Sequence, residues 1–233
     1  RTVCYVEGEA FAASVLSARM EDKALHPAPI WSNLRTFDAR PWSGRVDIVS
    51  AGFPCQPFSQ AGKLLAERDP RHLWPDIARI ISEARPPIVF LENVALKAYR
   101  EPLRDLQAMG FEVEDPFRLH ASYLGAPHHR GRTFVFAHAD GELLRLQPRR
   151  SSRPRRKEAP QLARPTWWTT EPNLPRVDNG TPERVDRTRA LGNAVVPLAA
   201  AYAFRTLAAR AGYTMPELRP SETSSDGLQE EQS

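Results

Sequence analysis

The chain has 233 residues, 41% of them hydrophobic, enough for one sizeable core with a small appendage. No apolar stretch approaches the roughly 20 residues a bilayer-spanning helix needs, and Glu7 and Glu9 interrupt the N-terminus where a signal peptide would be apolar, which points to a soluble, cytoplasmic protein. Two cysteines, Cys4 and Cys55, are too few for a disulfide framework or a thiolate zinc site, and the net charge of +4 is spread unevenly along the chain.

In chain order, "TVCYV" (2–6) is a β-prone run that reads as a buried strand, and "EAFAASVLSARM" behind it keeps Phe11, Val15 and Leu16 at helical spacing. "RVDIVSAGF" (45–53) and "PPIVFLEN" (86–93) are compact apolar runs with little alternation, the pattern of strands covered on both faces. Between them, "LWPDIARIISEA" (73–84) places Leu73, Ile77, Ile80 and Ile81 on one helix face, with Pro75 in the first turn where it is tolerated. "EPLRDLQAMG" predicts a helix stopped at Gly110, followed by strand candidates in "FEVEDPFRLHA" and "RTFVFAHA" (132–139). Strands alternating with helices predict an α/β sheet, parallel in its first part.

From 140 to 182 the periodicity fails in a segment rich in proline and arginine. Arg145, Arg149, Arg150, Arg153, Arg155, Arg156, Lys157 and Arg164 lie together there, opposed locally by Glu158 alone. Composition admits two readings of this run, a solvated linker or a polyanion contact. Helical character resumes over 183–212 with a break around Gly192, Asn193 and Pro197, and residues 213–233 read as a disordered tail.

The stretch "AGFPCQPFSQAGK" (51–63) sets Cys55 just beyond a strand. A lone cysteine is either a buried small hydrophobe or a reactive group; Pro54, Gln56, Pro57 and Ser59 suit an exposed, rigid loop better than a core. Ligands of open α/β sheets bind outside the carboxyl ends of the strands, where the second apolar strand also ends, at Glu92 and Asn93. A thiol and a carboxyl are thus expected to face one crevice.

"GFPCQPFSQAGK", "FLENV", "LGAPHHRGRTFVFA" and "RALGNAVVPLAA", in this order and approximate spacing, resemble the motifs of the DNA cytosine-5 methyltransferase family over about residues 3–139 and 183–205. The resemblance implies a Rossmann-like, S-adenosylmethionine-dependent sheet, mostly parallel with an antiparallel strand. It divides the chain into a catalytic domain (1–139), a reduced target-recognition segment (140–182), C-terminal helices returning to the catalytic domain (183–212) and the tail (213–233). It implies methyl transfer from S-adenosylmethionine to C5 of cytosine in DNA. C5 is a poor nucleophile, and adding a thiolate to C6 supplies the electron density it lacks. By resemblance Cys55 is that nucleophile. Glu92 is the acid that neutralises N3, from a pocket that raises its pKa. Arg132, with Arg130 beside it, holds the O2 edge of the base and favours the thiolate. The groups at 55, 92 and 132 are expected to converge on a pocket for one pyrimidine.

The resemblance also implies a cofactor side. Glu7, with Gly8 next to it, matches the acidic residue that accepts from ribose hydroxyls. Asn33 and Leu34 match the adenine-side position, where Asp is commoner than Asn. Pro54 and Leu73 line the cleft, and Asn193, Ala194 and Val195 belong to the segment that folds back over the cofactor. On the DNA side, the target base must leave the duplex to reach Cys55, and Ser59 or Gln60, with Gln56 alongside, would occupy the space it vacates. Arg149, Arg150, Arg153, Arg155, Arg156 and Lys157 would contact phosphates, while Trp167 and Trp168 either pack under the small segment or stack on bases. His128 and His129 stand where the family commonly has Gln; adjacent histidines make a poor metal site, and they are read as loop or phosphate-contacting residues.

The family's first motif, a strand with a glycine-rich loop that grips the methionine part of the cofactor, occurs nowhere in the 233 residues. That strand lies mid-sheet in the family, so its neighbours are expected to be left unpaired, and the missing strand, loop and helix, on the order of 30 residues, are expected before Arg1. The expected partner is double-stranded DNA, with no metal and no membrane, for a monomer of bacterial or phage origin whose role is open between restriction-modification, phage self-protection and regulation. The alternatives are a catalytically inactive DNA-binding relative, an RNA cytosine-5 methyltransferase, and a thiol hydrolase pairing Cys55 with His128 or His129, which would lack an orienting Asn or Asp.

Overall fold

One apolar run, 88–93, sets the centre of the fold, and a second, 48–52, pairs beside it at the edge of the described sheet. The computed structural model describes residues 1–54, 72–139 and 192–213. In it β3 (Ile48–Gly52) and β4 (Ile88–Asn93) pair in parallel, with Gly52 opposite Glu92. The last strand, β7 (Gly131–Ala139), runs antiparallel to β4, setting Phe134 opposite Glu92 and Thr133 opposite Asn93. The far edge of β7 is shared by β6 (Phe117–His120) near its start and β5 (Phe111–Val113) near its end. Ahead of this five-stranded sheet, β1 (Tyr5–Val6) and β2 (Ile30–Trp31) form a separate parallel pair flanking helix α1 (Ala10–Glu21).

Side-chain alternation on β4 and β7 sends residues to two covered faces. Val89, Leu91, Val135 and Ala137 meet α2 (Trp74–Ala84) and α3 (Arg100–Ala108) through Trp74, Ile77, Ile81 and Leu106. Ile88, Phe134 and Phe136 meet α4 (Pro197–Arg210) through Ala199, Ala203 and Leu207. Helices on both faces of a mixed sheet make this a Rossmann-like α/β fold, as the sequence predicts. The expected apolar face of α2 is present: Ile77, Ile80 and Ile81 are buried, and each contributes about 1.5–3 kcal/mol by leaving water. α4 starts with Pro197 in its first turn, which accounts for the break anticipated there.

Three expectations need correction. β3 is not covered on both faces: Ile48, Ser50 and Gly52 are exposed, because among the described residues β3 ends its sheet and nothing packs on that face. The run at 2–6 is not a buried strand; Tyr5 and Val6 alone pair, and both are half-buried. Although α1 lies where its spacing predicts, none of its residues is buried. "FEVEDPFRLHA" forms two strands, not one, since Pro116 between them has no N–H to continue the ladder. β2, a two-residue strand, was not anticipated. No ladder joins the β1–β2 pair to β3 among the described residues.

Candidate active site

The carboxyl end of β4 gathers the charged groups. Apolar neighbours on both faces bury the strand up to its tip, so Glu92 arrives with its side chain 18% exposed. Across the ladder, Arg132 stands on the second residue of β7, 7% exposed. Its Nε lies 2.8 Å from Glu92 Oε1. The N–H is not aimed along that line, however, and neither atom has a hydrogen-bond partner among the described residues. The contact is thus an electrostatic pairing without a hydrogen bond along it. Burial raises the Glu92 pKa above its ordinary value, outweighing the opposing pull of Arg132 and, more weakly, Arg130. The result is a carboxyl that holds its proton more tightly than usual next to a fixed guanidinium.

Space for that carboxyl depends on Gly52, its partner on β3: a Cβ there would come within 3.1 Å of Glu92 Oε2. Asn93, 2% exposed, ties the two strand ends together by donating from Nδ2 to Phe53 O at 2.9 Å and accepting the Ala95 N–H at Oδ1 at 3.1 Å. Behind Glu92, buried Tyr99 donates to Thr133 O at 2.7 Å; burial and the nearby Glu92 charge push its pKa far up, so it is a fixed neutral donor. The sequence marks Asn93 only as a neighbour of Glu92 and does not single out Gly52 or Tyr99; their partners are set by register and packing.

Arg130 and Arg132 both reach the C-terminal segment. Arg132 Nη2 donates to Gly192 O at 3.2 Å and Ala194 O at 3.4 Å, and its Nη1 to Gly131 O at 3.0 Å. Arg130 Nη2 donates to Gly192 O at 3.0 Å and also to Ala194 O. Burial and repulsion from Arg132 lower the Arg130 pKa, with Glu92 acting against both. Two carbonyls shared between two cations offset part of that repulsion and hold the backbone of Asn193 and Ala194 beside the site, with Val195 half-buried behind them.

A second group forms at the ends of β1 and β2. Glu7 follows β1, its N–H donating to Trp31 O at 2.9 Å and its Oε1 accepting the Glu9 N–H at 2.8 Å. A Cβ on Gly8 would lie 3.2 Å from Ser32 O, so Gly8 lets the two strand ends close. Asn33, exposed, caps the single turn Leu34–Thr36 by accepting the Arg35 N–H at 3.0 Å. Leu34 packs against the cluster that contains Phe53 and Trp74. The structure therefore brings Glu7, Gly8, Asn33 and Leu34 together, Glu92 with Arg132 and Arg130, and Arg130 and Arg132 with Asn193 and Ala194. Pro54, exposed, ends the described segment after β3, and half-buried Leu73 precedes α2.

Cys55, Gln56, Ser59 and Gln60 lie outside the described residues, as do Arg149, Arg150, Arg153, Arg155, Arg156, Lys157, Trp167, Trp168 and the tail from 214. His129 forms an edge contact with the His120 ring, 6.3 Å between centroids, and the described residues contain no group of three side chains able to hold a metal ion. No helix among them is long and apolar enough to cross a membrane.

The family model described as "C-5 cytosine-specific DNA methylase" matches residues 1–179. The type II methyltransferase M.MspI of Moraxella sp. is 39% identical over 103 residues, covering 39% of this chain and 24% of that protein. M.CviJI of Paramecium bursaria Chlorella virus IL3A is 28% identical over 214 residues, covering 88% of this chain and 53% of its own length. The chain thus spans between about a quarter and about half of these relatives. A solved structure of a prophage-encoded putative DNA modification methyltransferase from E. coli is also similar, with TM-score 0.49, 22% identity and coverage of 63% of this chain and 42% of that one.

Proposed function

The chain belongs to the C-5 cytosine-specific DNA methylase family, and from that premise we propose that it carries the machinery for methyl transfer to C5 of cytosine in double-stranded DNA. The observation that carries this reading is the Glu92–Arg132 pair, a carboxyl with a raised pKa beside a buried guanidinium at the strand end whose ladder partner, Gly52, lies three residues before Cys55. In the proposed chemistry the Cys55 thiolate adds to C6 of a cytosine turned out of the duplex while Glu92 gives its proton to N3. Electron density then collects at C5, which takes the methyl group; the C5 hydrogen leaves as a proton to water, the N3 proton returns to the Glu92 carboxylate, and departure of the Cys55 thiolate restores the ring. Arg132 supplies positive potential at O2 and beside the thiolate.

The adenosine half of S-adenosylmethionine fits the residues at the ends of β1 and β2. Glu7 is a carboxylate at a strand end with acceptor capacity left for a ribose diol, Gly8 keeps the approach open, and Asn33 and Leu34 sit on the adjoining capped turn. When bound, the cofactor supplies an electrophilic methyl group. Asn193, Ala194 and Val195, held by the two arginines, would cover it from the C-terminal side. Gln56, Ser59 and Gln60 are proposed at the flipped-base site, and the basic run from Arg149 to Lys157 at DNA phosphates, in keeping with bacterial and viral type II methyltransferase relatives.

Covalent trapping tests the proposal. With S-adenosylmethionine and duplex DNA containing 5-fluorocytosine, where fluorine blocks the final loss from C5, the expected outcome is a denaturation-resistant protein–DNA species that disappears in Cys55→Ser. DNA binding without any such species would instead identify an inactive relative.

A further inference from the structure

The turn that carries Asn33 and Leu34 is gripped from α2 by a pair of side chains. Arg79 Nη1 donates to Phe37 O at 2.8 Å, and its Nη2 donates to Leu34 O at 3.0 Å and, at 3.5 Å, to Arg35 O. Glu83, one turn further along the helix, brings both carboxylate oxygens to 3.1 Å from Arg79 Nη1. Its Oε2 also accepts the Ala39 N–H at 2.9 Å, and Ala39 is fully buried. Asp76, one turn before Arg79, lies 3.8 Å from Arg35 Nε. Positions 76, 79 and 83 fall on one face of α2, so a single helix face holds the chain from Leu34 to Ala39.

The turn needs such a grip. A single helical turn satisfies few of its own carbonyls, here Leu34 O with the Phe37 N–H at 3.4 Å, and those of Leu34, Arg35 and Phe37 converge on one planar guanidinium. The opposite side is closed by its own side chains: Asn33 Oδ1 accepts from Arg35, and Thr36 Oγ1 donates to Asn33 O at 3.2 Å while accepting from Trp31 Nε1 at 3.1 Å. An ion pair four residues apart on a helix, at the exposure seen here, contributes little to stability by itself. What the Arg79–Glu83 pair fixes is the backbone of the turn, and with it the direction of the Asn33 amide and the Leu34 side chain.

We infer that Arg79, oriented by Glu83, is a positioning residue for the adenine end of the cofactor site. The inference rests on the proposed placing of Asn33 and Leu34 at that end. Lysine at 79 would keep a charge for Glu83 but, as a point donor on a flexible stem, could not span three carbonyls. Cofactor affinity should therefore fall in Arg79→Lys without a matching loss of stability.

The full chain, titrated with S-adenosylmethionine and with adenosine, provides the test, alongside melting temperatures and amide exchange at Ala39. Arg79→Lys and Arg79→Met are expected to raise the Kd on the order of tenfold. Glu83→Gln should raise it less and speed Ala39 exchange, while Arg79→Lys melts with the wild type. Wild-type affinity in Arg79→Lys, or weakening that merely follows the melting temperature across the variants, would overturn the positioning role. Failure of the wild-type chain to bind adenosine, which needs no methionine grip, would defeat the placing of the adenine end itself, a result seen before any substitution is made.

Discussion

Glu92 feels two opposed forces: loss of water around a carboxylate favours its neutral form, while Arg132 at 2.8 Å favours the charged one. Burial prevails, so the group keeps its proton above the ordinary value of 4.5. A raised pKa in the folded state means that the stability associated with the neutral carboxyl is fully present below that ordinary value and is lost as pH rises through the folded pKa. Glu92→Gln, which cannot ionise, escapes that loss. Its melting temperature should therefore match the wild type near pH 4 and exceed it at pH 8, while methyl transfer falls; a pH-independent difference in melting would refute the protonation argument. Glu92 and Arg132 were legible in the sequence because their motifs name them. Gly52, Tyr99 and Arg79 were not, since each acts through a backbone atom or carboxylate far away in the chain, which no local pattern reports.

At the scale of elements, strand and helix order was legible wherever the apolar period was strong: α2 shows its predicted face, and β4 is buried except at half-buried Phe90 and Glu92. It failed where neighbours decide the outcome. β3 has the composition of an interior strand but stands at the edge of the sheet that the described residues form, and β2 is too short for any period to register. Between β3 and β4 the decisive contact is Asn93, whose amide bridges Phe53 O and the Ala95 N–H from a position 2% exposed. Asn93→Ala leaves both groups unpaired in the interior, at a cost of about 2 kcal/mol in unfolding free energy. Chemical denaturation should register that loss, and the turn leading to Cys55 should loosen with it, lowering trapping on 5-fluorocytosine DNA as well.

Taken whole, the molecule uses a sheet covered by α2 and α3 on one face and α4 on the other to bring residues 92, 132 and 192–194 to one place. The return of the C-terminal segment was legible only as a motif; that its carbonyls would serve Arg130 and Arg132 follows from the antiparallel course of β7, which presents both arginines at the end of β4. The central claim is that Cys55, Glu92 and Arg132 act together on one cytosine. Addition of the thiolate to C6 makes C5 basic enough to take a proton from water, so reversal exchanges the C5 hydrogen without any methyl donor. Release of tritium from duplex DNA carrying 5-tritiated cytosine measures that step directly. The account predicts release by the full chain, none by Cys55→Ser, and a reduction on the order of a hundredfold in Arg132→Lys; release that persists in Cys55→Ser, or is indifferent to Arg132, would contradict it.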